Sequence, residues 1–267
     1  IARVAAINQG TATGLYNSPN NAIYDITTFN DQICVVGSFS SPANNIALWD
    51  GSSWSGLGTG LTNDAQAICE YNGYLYVAGG WFSAAGGIST SNKFARWNGT
   101  AWSVPTIERS AGNVSQMLVF DNALWLVGID SFMGRWNGST MTIWNKSVAT
   151  SAIRACVYNN ALYVGHDSIL YKYNNITGQF DPIVTATSII PIIVYQNKLI
   201  CAGTFSSVGG VSTKYIAGYD GTAWHAMNTG TYGGINDMEV VDGELYIAGS
   251  FTSFGNISAQ NSVIWNG

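Results

Sequence analysis

One nine-residue pattern recurs six times along the chain: FNDQICVVG (29–37), YNGYLYVAG (71–79), FDNALWLVG (120–128), YNNALYVGH (158–166), YQNKLICAG (195–203) and VDGELYIAG (241–249). Successive copies end 37 to 49 residues apart. A second marker follows each one in the same order: ALWDG (47–51), ARWNG (95–99), GRWNG (134–138), YKYNN (171–175), AGYDG (217–221) and VIWNG (263–267). Residues 65–104 show what one period contains. They predict four short strands, at 65–71, 74–82, 93–97 and 100–104. Asn72-Gly73 and Asn98-Gly99 break them, because a tight hairpin turn needs positive φ at both central residues and Asn-Gly supplies it. A polar, Gly-rich loop (83–92) makes the remaining break. A single sheet of this kind is apolar on both faces and cannot stand alone, so it needs copies of itself. A four-strand unit with a period near 40–50 residues predicts an all-β propeller of antiparallel blades.

The predicted blades are 22–60, 65–104, 114–145, 152–181, 188–227 and 235–267. They predict one six-bladed domain over 1–267. Outer strands follow the WDG-type turns, as in WSGLGTG (54–60) and WHAMNTG (224–230), but the last marker ends at Gly267. VAAINQG (4–10) fits the same template. Residues 2–8 are therefore expected to complete the last blade and close the ring, leaving no open edge to template aggregation. The first residue is Ile1, and the chain is expected to be a processed or excised part of a larger chain or assembly.

Charged residues make up only 9% of the chain, against roughly 25% in an average soluble domain. The surface must then be Asn, Ser, Thr and Gly, which suits an extracellular protein, on a cell or a virion. The net charge is −5 and the basic residues are scattered, so there is no footprint for nucleic acid. No apolar run approaches the ~18 residues of a membrane span. Cys34 and Cys201 fall in second strands and Cys69 and Cys156 in first strands, all among apolar neighbours. Four reduced, buried thiols are expected, packed as small hydrophobes.

Motifs of the form LYVAGxFxSxGG…ARWNGxxW resemble the tandem propeller repeats of secreted bacterial surface proteins and of a fungal cell-surface polarity marker family. They are more distantly similar to kelch and galactose-oxidase-type propellers. The resemblance covers nearly the whole chain and implies a propeller fold. It does not settle function, because propellers host both enzymes and binders.

Little here supports catalysis. The two histidines, His166 and His225, fall in separate blade positions, and no nucleophile elbow, zinc-protease or phosphate-loop motif is present. No cofactor and no metal are expected. Asp25 and Asp237 share one register in the first strands of their blades, with Gln116 and Arg154 at the same position in two others. They read either as the solvated lining of a central channel or as a polar pocket on its axis. A glycosidase pair is a third reading, but two carboxylates need a positioned substrate to make that site. Trp81 is inserted between Gly80 and Phe82, where other repeats have GSF or GTF, and should point away from its blade. Tyr215 and Tyr232 lie in loops expected on the same face. These aromatics read either as loop packing or as platforms for sugar rings. Trp49, Trp97, Trp136 and Trp265 recur with the repeat and are expected to fill gaps between blades.

Three readings follow. The first is a non-enzymatic surface module that binds a glycan or a surface protein through the face built by second-to-third-strand loops and interblade loops. That face would carry Trp81, Asp130, Asp167, Lys214, Tyr215 and Tyr232, beside Asp25, Gln116, Arg154 and Asp237. The second is a structural or assembly module. The third is a glycan-active hydrolase.

Overall fold

The structure, a computed structural model, describes residues 5–8, 11–15, 17–108, 110–112, 114–129, 132–145, 153–166, 168–186, 188–189, 191–227 and 230–267. It is all-β, and no helix is found among the described residues. Two compact units are present, Ile1–Val148 and Ala149–Gly267.

The first unit holds three four-stranded antiparallel sheets in which each strand pairs with the next in sequence. Sheet 1 is Ile23–Phe29, Gln32–Gly37, Ile46–Trp49 and Trp54–Gly56. Sheet 2 is Ala67–Tyr71, Tyr74–Ala78, Phe94–Trp97 and Trp102–Ser103. Sheet 3 is Val114–Phe120, Ala123–Gly128, Phe132–Trp136 and Met141–Asn145. In the second unit, sheet 4 runs from Ile153–Tyr158 to Gln179–Thr185, and sheet 5 from Ile192–Tyr195 to Trp224–Ala226. Sheet 6 is built on the long hairpin Thr231–Val241 and Glu244–Phe254, with Ser262–Trp265 against the latter.

The predicted strands of sheet 2 are there but shorter. Tyr74–Ala78 stops early because Gly79 and Gly80 take φ of 77° and 72°, a conformation that L side chains resist. A Cβ on Gly79 would also sit 2.0 Å from the Val114 carbonyl oxygen of the next sheet. Asn72-Gly73 makes the expected turn, with positive φ at both residues. Asn98-Gly99 does not. Only Gly99 is left-handed, and the Asn98 side-chain oxygen accepts the amides of Thr100 and Ala101 at 2.9 and 2.8 Å. Asp50, Asn137 and Asp220 close their turns the same way, because a short side-chain acceptor can cap the backbone two residues on.

The loops at 82–92, 205–215 and 251–261 fold alike, as their sequences predict. Each makes a two-residue hairpin: Ala84–Ala85 with Ile88–Ser89, Ser207–Val208 with Val211–Ser212, and the end of Glu244–Phe254 with Ile257–Ser258. Gly86 and Gly209 are required there. A Cβ would meet Trp102 Cδ1 at 2.4 Å and Trp224 Cδ1 at 2.0 Å.

The amino-terminal expectation needs correcting. Ala5–Asn8 lies in a two-stranded sheet with Thr11–Gly14, in the register Ala5↔Gly14, rather than on the edge of the last sheet; Ala2–Val4 lie outside the described residues. Pairing with the adjoining segment closes a short loop, which costs far less entropy than pairing across the whole chain.

The cores lie between consecutive sheets. Phe29, Val36, Leu57, Ile68, Val77 and Phe82 pack between sheets 1 and 2, and Tyr76, Phe94, Leu126 and Trp136 between sheets 2 and 3. In the second unit, Tyr158, Tyr163, Ile192 and Leu199 join sheets 4 and 5, and Ile200, Ile235, Met238 and Leu245 join sheets 5 and 6. The repeated aromatics are structural. Trp49 meets Trp54 at 5.3 Å, Trp97 meets Trp102 at 5.5 Å, Trp136 meets Phe94 at 5.7 Å and Trp265 meets Phe254 at 5.3 Å. In sheets 2, 4 and 5 the tyrosine ending the first strand also ties its sheet to the next. Tyr71 donates to Asn122 O at 2.7 Å, Tyr158 to Asn197 O at 2.9 Å and Tyr195 to Trp265 O at 3.1 Å.

All four cysteines are free. Cys34 and Cys201 are buried as expected, whereas Cys69 and Cys156 are only half-buried. Their first strands end a sheet, so one flank of each lacks a partner strand.

Candidate functional site

The first-strand group is shaped by a shared irregularity. Strand pairing skips one residue between Ile23 and Asp25, between Val114 and Gln116, and between Ile235 and Asp237. A β-bulge of this kind bends the strand and re-aims the next side chain. Asp25 is turned toward the neighbouring sheet: Oδ1 accepts its own following amide, Ile26, and Oδ2 accepts the Ile68 amide, both at 2.9 Å. That is a tie between sheets 1 and 2. Asp237 Oδ1 accepts the Met238 amide at 3.0 Å, and its side chain is exposed beside Met238, Tyr246 and Ile264 in an open cleft of about 410 Å³. Gln116 and Arg154 are half-buried in sheets 3 and 4. Asp25 and Gln116 belong to the first unit, Arg154 and Asp237 to the second.

The aromatics converge better, although Tyr232, expected in a loop, lies in the strand Thr231–Val241. In the second unit, Tyr215 and Tyr232 line one cleft of about 500 Å³ with Thr204, Phe205, Ser206 and Lys214. The Thr231 amide donates to Lys214 O at 3.1 Å, which brings the start of sheet 6 against the sheet 5 loop. The Lys214 ammonium then lies 4.3 Å from the centroid of the Tyr232 ring, a cation–π contact. Tyr232 is 58% exposed. Lys214 was legible only as a loop residue; its place over Tyr232 depends on that backbone bond, which no motif announces.

Trp81 stands apart, in the first unit. The inserted residue is 76% exposed, as its sequence position predicts, and its amide donates to Asp64 O at 3.1 Å. It borders a cleft of about 390 Å³ with Gln66, Lys93, Val114, Ser115 and Ile129. Lys93 was missed in the sequence; its Nζ donates to Phe82 O at 2.7 Å. Asp130 and Asp167 lie outside the described residues.

His166 is buried at the end of its strand, and His225 Nε2 lies 2.6 Å from Asp220 Oδ2 in sheet 5. No cluster of three or more metal-ligating side chains occurs among the described residues. No helix among them is long and apolar enough to cross a membrane.

No protein family matches the chain, and no curated protein does. Solved structures do. The WD40 beta propeller domain of Doa1 is 12% identical, with a TM-score of 0.56, over 92% of this chain and 83% of that one. The fold is that of a β-propeller. The extracellular domain of the hybrid two component system BT3049 from B. thetaiotaomicron is 13% identical with a TM-score of 0.59. That likeness spans 98% of this chain but only 35% of the other. YCF48, solved bound to the D1 peptide, is 12% identical with a TM-score of 0.56 over 88% of this chain and 77% of that one. At these identities the likeness is one of fold.

Proposed function

We propose that this propeller is a non-enzymatic, extracellular binding module that recognises a glycan or a surface protein through its loop face. The observation that carries the reading is the cleft at Lys214, Tyr215 and Tyr232, where two aromatic rings and an ammonium group meet beside hydroxyl-bearing side chains. Exposed aromatic faces next to polar groups suit sugar rings and peptide side chains alike. Propeller neighbours support it: one is an extracellular domain and another holds a peptide. That the six sheets are six blades of one closed domain, kin to the tandem repeats of secreted surface proteins, rests on the sequence repeat. Asp25 counts against a glycosidase pair, because both of its oxygens already accept backbone amides. The test is a glycan and peptide array probed with the whole chain and with Trp81→Ala, Tyr215→Ala and Arg154→Ala. Binding weakened by at least one of these substitutions supports the reading. Binding unchanged by all three places the ligand elsewhere, and no binding favours a structural module.

A further inference from the structure

The residue just before the third strand is left-handed in four sheets: Asn45 (φ 63°), Lys93 (54°), Tyr215 (67°) and Asn261 (66°). The backbone dictates this, for the carbonyl of each accepts the amide of the glycine that closes the nine-residue repeat. The bonds from Gly37, Gly79, Gly203 and Gly249 measure 3.0, 3.2, 2.9 and 2.9 Å. Asn is the non-glycine residue that tolerates this conformation best; other side chains cost roughly 1–2 kcal/mol there. Two repeats keep Asn, and Asn45 uses its amide to bond Leu61 O at 3.0 Å, filling the gap toward the next sheet. The other two place Lys93 and Tyr215 at the strained position, and both of these line open clefts. Both clefts are built alike, from the end of a second strand, the left-handed residue, and the start of the next sheet's first strand. Each is lined by an exposed aromatic and a lysine, though from different positions: Trp81 follows the second strand and Lys93 is the left-handed residue, whereas Tyr232 lies in the next sheet's first strand and Lys214 precedes the left-handed Tyr215. The chain carries 15 Asp and Glu against 10 Lys and Arg, yet among the described residues no carboxylate lines either cleft.

We propose that these clefts are two subsites of like chemistry, and that their ligand is an acidic oligosaccharide whose rings stack on Trp81 or Tyr232 and whose carboxylates meet Lys93 or Lys214. The proposal rests on the binding-module reading above. A peptide would also offer carboxylates, but two subsites that both present aromatic, ammonium and hydroxyl groups match a polymer that repeats one ring and one charge.

The experiment is calorimetric titration of the whole chain with a panel of galacturonate, glucuronate-containing and sialylated oligosaccharides, their neutral counterparts, and a Glu-rich peptide. The expected result is binding of an acidic oligosaccharide at two sites per chain, with Trp81→Ala and Tyr232→Ala each removing one. Lys214→Met should weaken its site about tenfold and Lys214→Arg should restore most of the loss, with circular dichroism unchanged. A single site, equal affinity for the neutral counterparts, or indifference to Lys214→Met overturns the proposal. So does binding of the peptide alone, although the binding-module reading then stands. If nothing in the panel or on the array binds, both fall.

Discussion

The carboxylate of Asp25 accepts the backbone amide of Ile68 at 2.9 Å, joining the first strands of two consecutive sheets. The same side chain caps its own bulge through Ile26. Asp25→Ala should therefore lower unfolding free energy by about 1–3 kcal/mol, because it strands a partly buried donor. Asp25→Asn, which keeps an acceptor oxygen, should lose less. Urea unfolding of both variants measures this, and equal losses would show that the charge rather than the acceptor matters.

The double-glycine hairpins provide a second check. Gly86→Ala meets Trp102 at 2.4 Å and Gly209→Ala meets Trp224 at 2.0 Å, each at a left-handed φ. Gly87→Ala and Gly210→Ala share the left-handed φ but have open space around the new methyl. The first pair should cost about 2–4 kcal/mol, combining backbone strain and overpacking, and the second pair about 1–2 kcal/mol. Equal costs for the two glycines of one hairpin, Gly86 and Gly87 or Gly209 and Gly210, would mean that the tryptophan yields freely.

This contrast also shows what could be read in advance. The repeated apolar core and the Asn-Gly turns predicted four-stranded sheets, because hairpin turns and strand patterning are local. The Trp102 and Trp224 contacts were not legible; they arise only when the hairpin folds back on the outer strand. The Asn98 turn was misjudged since a side-chain acceptor replaced the positive φ expected at Asn98. Residues 5–8 carry the outer-strand pattern but pair with their neighbours in sequence. At the candidate site, Trp81 was legible as an insertion in the repeat and Tyr215 as a loop aromatic, whereas Tyr232, read as a loop residue, lies in a strand. Lys93 was not legible, nor was the placing of Lys214 over Tyr232, nor the bulge that turns Asp25 into a sheet-to-sheet tie.

Thiol labelling should be ordered by burial. Burial pushes Cys156 up to about 11 and Cys69 up to about 12, and Cys34 and Cys201 beyond that. The thiolate is the reactive form, so labelling of the native chain is expected to be slow near neutral pH. It should speed up as pH rises, Cys156 first and Cys34 and Cys201 last. Four thiols should react after unfolding, and mass spectrometry after partial labelling gives the order. Early labelling of Cys34 or Cys201 would contradict the packing of their sheets.

Acid should loosen some turns and spare others. Hydrogen bonds hold the Asp50 and Asp220 carboxyls well below the usual carboxylate range: the Ser53 and Ser52 amides lead at Asp50, His225 and the Ala223 amide at Asp220. A depressed folded-state pKa contributes stability that is present above the unfolded value and lost as pH falls through the folded one. Amide exchange of Ser52, Ser53, Thr222 and Ala223 should therefore rise in strong acid, while Thr100 and Ala101, held by Asn98, should not respond. Asp50→Asn should remove the response at its own turn.

Tyr215 tests the account most directly, because it holds a left-handed φ of 67° that its side chain resists, at the edge of the cleft. Asn occupies the same left-handed position in two other sheets. Unfolding and ligand titration of Tyr215→Asn should be measured together. The variant should match or exceed the parent's unfolding free energy, within about 0.5 kcal/mol if it falls short, since Asn relieves a conformation that Tyr resists. Its affinity for any ligand found should drop about tenfold or more. A variant that binds as the parent does and unfolds more easily by more than about 1 kcal/mol would show that Tyr215 is there for packing, and that the cleft is not the site.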